Sequence, residues 1–106
     1  MSVTAAVVTA PRVLLVDGCE ACAGRTTVLR GQARAGEGTL RYVEVSLDAG
    51  ATWDEASLTG PNLPGVWVEW EHPWTPLTPG VQEVRLRVTD AAGTVREGVT
   101  AHLHVD

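Results

Sequence analysis

Along most of the chain, apolar residues return at every second position and not at every third or fourth. Val43, Val45 and Leu47 alternate with Glu44 and Ser46. Val84, Leu86 and Val88 alternate with Glu83, Arg85, Arg87 and Thr89, and Val99, Ala101, Leu103 and Val105 with Thr100, His102 and His104. Successive side chains of an extended backbone point to opposite faces, so a period of two marks a strand with one dry face and one wet face. The same alternation predicts strands over Val3 to Val8, Val13 to Val16, Thr27 to Ala35 and Val66 to Trp70, and it leaves no helix of useful length.

Each apolar run stops at a cluster of turn formers. Asp17-Gly18, Gly36-Glu37-Gly38, Asp48-Ala49-Gly50 and Asp90-Ala91-Ala92-Gly93 supply residues that tolerate positive φ or cap a turn with a carboxylate. Gly60 to Gly65, with Pro61 and Pro64, reads as a loop because proline cannot donate to a ladder, and His72-Pro73 reads as a turn for the same reason. About seven strands, with turn signals roughly every 8 to 12 residues, predict an all-β immunoglobulin-like β-sandwich, with a small barrel as the competing architecture.

The length, 106 residues, makes residues 1–106 a single domain. Folding a chain of this mass buries on the order of 10,000 Å², enough for a core without staples. A dinucleotide fold, a TIM barrel or a complete propeller does not fit. The formal charge is −5, and all eight basic residues are Arg, with no basic run among them. That lacks the electrostatic footprint of a nucleic-acid binder, so no nucleic-acid partner is expected. No stretch approaches the ~18 apolar residues of a membrane span. Met1 to Ala10 has no charged n-region, and Thr4 and Thr9 break its apolar run, so it does not read as a signal peptide and the expected compartment is the cytoplasm.

Ser46-Leu47-Asp48-Ala49-Gly50-Ala51-Thr52-Trp53 fits Ser-x-Asp-x-Gly-x-Thr-Trp at every fixed position. It resembles the Asp box, a hairpin in which Ser, Asp and Thr oxygens bond backbone donors of the turn. The resemblance implies a left-handed Gly50 and an indole, Trp53, lying over the hairpin. Such boxes recur on sialidase-type propellers, but one box in a chain this short, with a faint echo at Asp90 to Thr94, predicts a folding device and no catalysis.

The flanks of the box sharpen the picture. Gly31 to Gly38, Arg41 to Gly50, Thr52-Trp53 and Ala56-Ser57-Leu58 are followed by Trp67-Val68-Glu69-Trp70 with Trp74, then Pro79-Gly80, then Val84 to Gly93. In this order the segments resemble the dimerisation domain of sulfite-oxidase-type molybdenum oxidoreductases, over about residues 28–98. The resemblance implies an immunoglobulin-like, E-set type sandwich that builds a homodimer behind a catalytic domain. In that family the catalytic domain holds the molybdopterin and the cysteine ligand to molybdenum. No catalytic residue and no cofactor site is therefore expected in this chain, and its expected partners are a second copy or a molybdopterin-binding domain. Two positions depart from the family pattern. Arg34 stands where a Trp is usual, and Thr94-Val95-Arg96-Glu97 replaces Asn-Thr-Gln-Pro. No Arg of this chain matches the one that some members lend to the substrate pocket.

Trp67, Trp70 and Trp74 are candidate interface residues. Trp67 and Trp70 are an odd number of positions apart, so on one strand they face opposite ways. Either one is core and the other exposed for association or ligand stacking, or a bulge takes both inward. An exposed indole with nearby carboxylates also suits a carbohydrate-binding module, which is the alternative function.

Cys19-Glu20-Ala21-Cys22 follows Asp17-Gly18 in a predicted loop, away from the helix start that a thioredoxin-type pair needs. Free thiols, a local disulfide, a redox pair and a metal site all fit that spacing. In an immunoglobulin topology this loop and the end of the last strand share one end of the sandwich, which brings His102 and His104 toward Cys19 and Cys22 and satisfies a zinc count. His102 and His104 also fit two ordinary imidazoles on a wet strand face. Asp54-Glu55 and Glu69-x-Glu71 are carboxylate pairs without a nucleophile and His placed to serve them, so acid–base catalysis is not expected.

Overall fold

The structure, a computed structural model, describes residues 7–8, 12–13, 21–35 and 38–106. These form nine strands and no helix. In chain order they are β1 (Val7–Val8), β2 (Arg12–Val13), β3 (Thr27–Arg34), β4 (Leu40–Ser46), β5 (Asp54–Glu55), β6 (Ser57–Leu58), β7 (Val68–Trp74), β8 (Gly80–Asp90) and β9 (Val95–Val105). Every pairing is antiparallel. One sheet runs β1-β3-β7-β6, with β2 also on β3, and the other runs β5-β4-β8-β9. The two sheets make the immunoglobulin-like sandwich that the alternation predicts. The count exceeds seven because β1 and β2 pair with different stretches of β3, and because β5 and β6 are two residues each.

The core lies between the sheets and follows the parity of the sequence. Leu29 and Ala33 of β3 and Val68, Trp70 and Trp74 of β7 meet Val43 and Val45 of β4, Val84, Leu86 and Val88 of β8 and Val105 of β9. A register shift between Leu40 and Tyr42 lets Leu40 and Val43, an odd number apart, both turn inward. A second shift falls in the long hairpin, where Arg85 pairs Thr100 but Arg87 pairs Glu97, so β9 spends one residue more than β8.

Of the predicted first two strands, only Val7–Val8 and Val13 fall among the described residues; Asp17-Gly18 and Gly36-Glu37 lie outside them. The fifth predicted strand is displaced. Val66 and Trp67 precede β7, and His72-Pro73, expected as a turn, continues it with His72 opposite Leu29 and Pro73 opposite Val28. Proline is tolerated there because β6 pairs only with Trp70 and Glu71, so that side of Pro73 has no ladder to supply.

Candidate interaction surface

The hairpin between β4 and β5 is built by three side chains on their own backbone. Ser46 Oγ accepts the Gly50 N–H at 2.8 Å and donates to Asp48 Oδ1 at 2.8 Å. Asp48 Oδ1 also accepts the Thr52 N–H at 2.8 Å, and Thr52 Oγ1 donates to Asp48 Oδ2. Bonds from the Thr52 hydroxyl, the Thr52 N–H and the Ser46 hydroxyl, in that order of weight, hold the Asp48 carboxyl at a pKa of about 2. Gly50 takes φ +90°, and Ala49 takes φ +59°, which its sequence neighbours did not announce. Asp90 repeats the device in the β8–β9 turn, where its Oδ1 accepts the N–H groups of Ala92 at 3.0 Å and Thr94 at 2.9 Å.

Trp53 does not stand alone over this hairpin. The Arg87 guanidinium lies 4.3 Å from the centroid of its ring and donates in parallel to Glu44 Oε1 at 3.0 Å and Oε2 at 3.1 Å. A planar cation between an aromatic face and a carboxylate fork suits Arg in both its geometries. The cross-strand register extends this row to Glu55 on β5 and Glu97 on β9. The outer face of the β5-β4-β8-β9 sheet is therefore a charged lattice, and the residues of the hairpin device are consumed in holding one another.

On the outer face of the other sheet, Arg30 pairs with Glu71 at 2.9 Å and Gln32 faces Glu69. The carboxylate pairs weighed for acid–base work are thus partly ion-paired or exposed: Asp54 and Glu55 form an exposed edge strand, with His72 Nε2 3.9 Å from Asp54. The three candidate tryptophans separate. Trp70 and Trp74 are 0% and 4% exposed and belong to the core, which removes them from the candidate interface; Trp67 is 41% exposed. Trp74 is an even number of positions from Trp70 on the same strand, so it shares the inward face once His72-Pro73 is read as strand. Trp67 follows Val66, whose N–H donates to the Leu63 carbonyl at 3.2 Å, and both Val66 and Leu63 are exposed in the loop before β7. The β3–β7 ladder ends where Ala33 faces Val68, the sequence neighbours of Arg34, which replaces a family Trp, and of Trp67.

Asn62 is a positioning residue with no motif to announce it. Its Oδ1 accepts the Leu40 N–H at 3.1 Å and its Nδ2 donates to the Leu40 C=O at 2.7 Å, so a side chain completes the strand pairing at the start of β4. Together with the bond from Gly65 N–H to Gly38 C=O, it fastens the loop that carries Trp67.

Cys22 is disulfide-bonded, and Cys19 lies outside the described residues. As the topology predicts, the cysteine loop meets the end of β9: Ala23 N–H donates to Asp106 C=O, and Asp106 N–H to Ala21 C=O, each at 2.9 Å. His102 and His104 are exposed on β9, and His104 Nε2 lies 3.2 Å from Asp106 Oδ1. A disulfide sulfur is not a thiolate donor, and among the described residues no three His, Cys, Asp or Glu gather around a common point. The described residues therefore do not assemble the four-ligand zinc site.

The domain is thus a two-layer sandwich with an Asp-fastened hairpin, and comparison with known proteins gives it a family. The model of the Mo-co oxidoreductase dimerisation domain matches residues 1–95. The chain belongs to that family. The match reaches further upstream than the motifs, which begin near residue 28. Among solved structures, the dimerisation domain is similar in fold to the sulfane dehydrogenase SoxCD from Paracoccus pantotrophus, at 23% identity and a TM-score of 0.64. That likeness covers 81% of the dimerisation domain and 23% of the other chain, so this chain spans about a quarter of that relative's length. No match was found among curated proteins.

Proposed function

We propose that this chain is a non-catalytic dimerisation module of a sulfite-oxidase-like molybdenum enzyme, self-associating through the loop that presents Trp67, Val66 and Leu63. The molybdopterin and the reaction belong to a separate catalytic domain, with which the sandwich is associated. The observation that carries this reading is the family match over residues 1–95. The choice of surface rests on Trp67 being the exposed member of the three candidate indoles, since a desolvated Trp is a preferred anchor of protein interfaces. The charged face around Arg87 is a poorer candidate, because its ions are already paired and would have to be desolvated together. Sedimentation equilibrium over a wide concentration range tests the proposal: a reversible monomer–dimer equilibrium is expected, and a strict monomer at the highest concentrations overturns self-association.

A further inference from the structure

The arginines of the two sheets are used unevenly. Arg87 holds Glu44 at 3.0 Å, Arg30 holds Glu71 at 2.9 Å, Arg85 lies 3.6 Å from Glu83, and Arg41 donates to the Ala91 carbonyl at 3.3 Å. Arg34 has no such partner among the described residues. It is half-buried at the end of β3, and its Nε is shut off from solvent without a hydrogen-bond acceptor. A guanidinium N–H in that state has given up water and gained nothing, which is destabilising until an acceptor from elsewhere reaches it.

The matching anion is on the same face. Leu29 and Ala33 turn inward from β3, as Val68 and Trp70 do from β7, so Arg34 and Glu69 both stand on the outer side of their sheet. Glu69 is opposite Gln32, which makes it the diagonal neighbour of Arg34, about 7–8 Å away in an antiparallel pair. Arg30 and Glu71, directly opposite each other, are joined. Arg34 and the exposed Glu69 are offset, and among the described residues no ion pair joins them.

An unpaired cation beside an unpaired anion is complementary to its own copy. A half-turn about an axis between them lays each Arg34 on the partner's Glu69, twice per dimer. The formal charge of −5 makes two copies repel, so a surface that joins them has to set cations against anions. The patch also adjoins the exposed indole, because Arg34 and Trp67 flank the last rung of the ladder, Ala33 opposite Val68.

We propose that the occupant of this patch is a second copy of the chain, and that reciprocal Arg34–Glu69 contacts across a two-fold axis set the register in which the Trp67 loops meet. The proposal rests on the self-association reading above and adds the residues that choose the partner. Trp67 supplies apolar area, which is indifferent to orientation; the two ion pairs admit one orientation and reject others.

Charge reversal, read by sedimentation equilibrium on the whole chain, tests this register. Arg34→Glu sets two carboxylates together at each contact and Glu69→Arg sets two guanidinium groups together, so either variant alone should have a dissociation constant at least about thirtyfold above that of the wild type. An equimolar mixture of the two should dimerise as the wild type does, because every contact of the mixed dimer again joins a carboxylate to a guanidinium. Rescue by mixing cannot come from a contact within one chain. A wild type that stays strictly monomeric overturns the self-association reading and the register with it. A wild-type dimer whose variants dimerise as tightly overturns the register alone, as does a mixture that stays monomeric. Where Arg34→Glu does not fold, Arg34→Gln and Glu69→Gln decide: each should loosen the dimer about fivefold and both together no more than either, whereas no loss, or losses that multiply, overturn the register.

Discussion

Gly31 and Trp70 are cross-strand partners on β3 and β7, and a Cβ on Gly31 would stand 2.7 Å from the six-membered ring of Trp70. The indole lies flat across the strand next to it, occupying the space that a side chain would take. This is how the largest fully buried side chain of the domain fits between two sheets. Its Nε1–H has no acceptor among the described residues, so the position is set by packing and not by a hydrogen bond.

Gly31→Ala therefore forces either the indole or β3 to move. Overpacking of this kind costs about 1–3 kcal/mol. Thermal or urea unfolding should show that loss, and Gly31→Val a larger one. An unchanged midpoint for Gly31→Ala would mean that Trp70 has another rotamer available.

Asp48 makes the hairpin sensitive to acid. Its folded pKa, about 2, is depressed from 3.8, so its contribution is fully present above pH 3.8 and is lost as the pH falls toward 2. Other carboxylates titrate in the same window, so the measurement is a difference. The melting temperature of Asp48→Asn should lie below that of the wild type at neutral pH, and the gap should close as the pH falls to about 2. Parallel curves would show that the carboxylate bonds do not carry its stability.

The neighbouring Ala49 holds φ +59°, a conformation that a Cβ makes unfavourable. The two residues at the centre of this turn both have positive φ, the pattern that Asn-Gly or Gly-Gly supplies at least cost. Ala49→Gly or Ala49→Asn is expected to raise stability by about 0.5–1 kcal/mol, read as a shift of the urea midpoint without a change in slope.

Strand faces and the hairpin are legible in the sequence because both depend on near neighbours. The parity of Val84, Leu86 and Val88 decides which side of β8 is dry, and Ser46, Asp48 and Thr52 bond within four residues of one another. Parity also separates Trp67 from Trp70, but which of them faces inward depends on which face of β7 meets the second sheet. His72-Pro73 misleads for a related reason: whether a proline breaks a strand depends on the strand beside it, and β6 stops short of Pro73. The disulfide at Cys22 was one of several states that the Cys-x-x-Cys spacing allowed, and spacing alone does not choose among them.

Asn62 shows the same limit from the side of the loop. Its partner, Leu40, is 22 residues upstream, so nothing local marks the amide as structural. Removing it leaves the Leu40 N–H and C=O, at the part-buried start of β4, without their partner. Asn62→Ala should cost about 1–3 kcal/mol. It should also speed amide exchange at Leu40, whereas Asn62→Asp, which keeps the acceptor but loses the donor, should fall between the two. Wild-type exchange in Asn62→Ala would show that the loop is held by its other contacts.

At Trp67, fold and association can be separated. Its indole is 41% exposed, so more than half of it is covered in the monomer, and Trp67→Ser should cost the fold about 1–2 kcal/mol, well short of what a core indole costs. If the loop of Leu63, Val66 and Trp67 is the self-association surface, the same change removes its anchor. The dimer should then weaken by about 2 kcal/mol or more, roughly thirtyfold in dissociation constant. Trp70→Ser, by contrast, empties the core and should lower stability by several kcal/mol, about 3–5, before any effect on assembly can be read. Sedimentation of Trp67→Ser beside its urea curve distinguishes the outcomes. A wild-type dissociation constant for Trp67→Ser, measured where the variant is folded, would move the interface elsewhere, leaving the charged face around Arg87 or the β9 edge of the same sheet as the surface to mutate next.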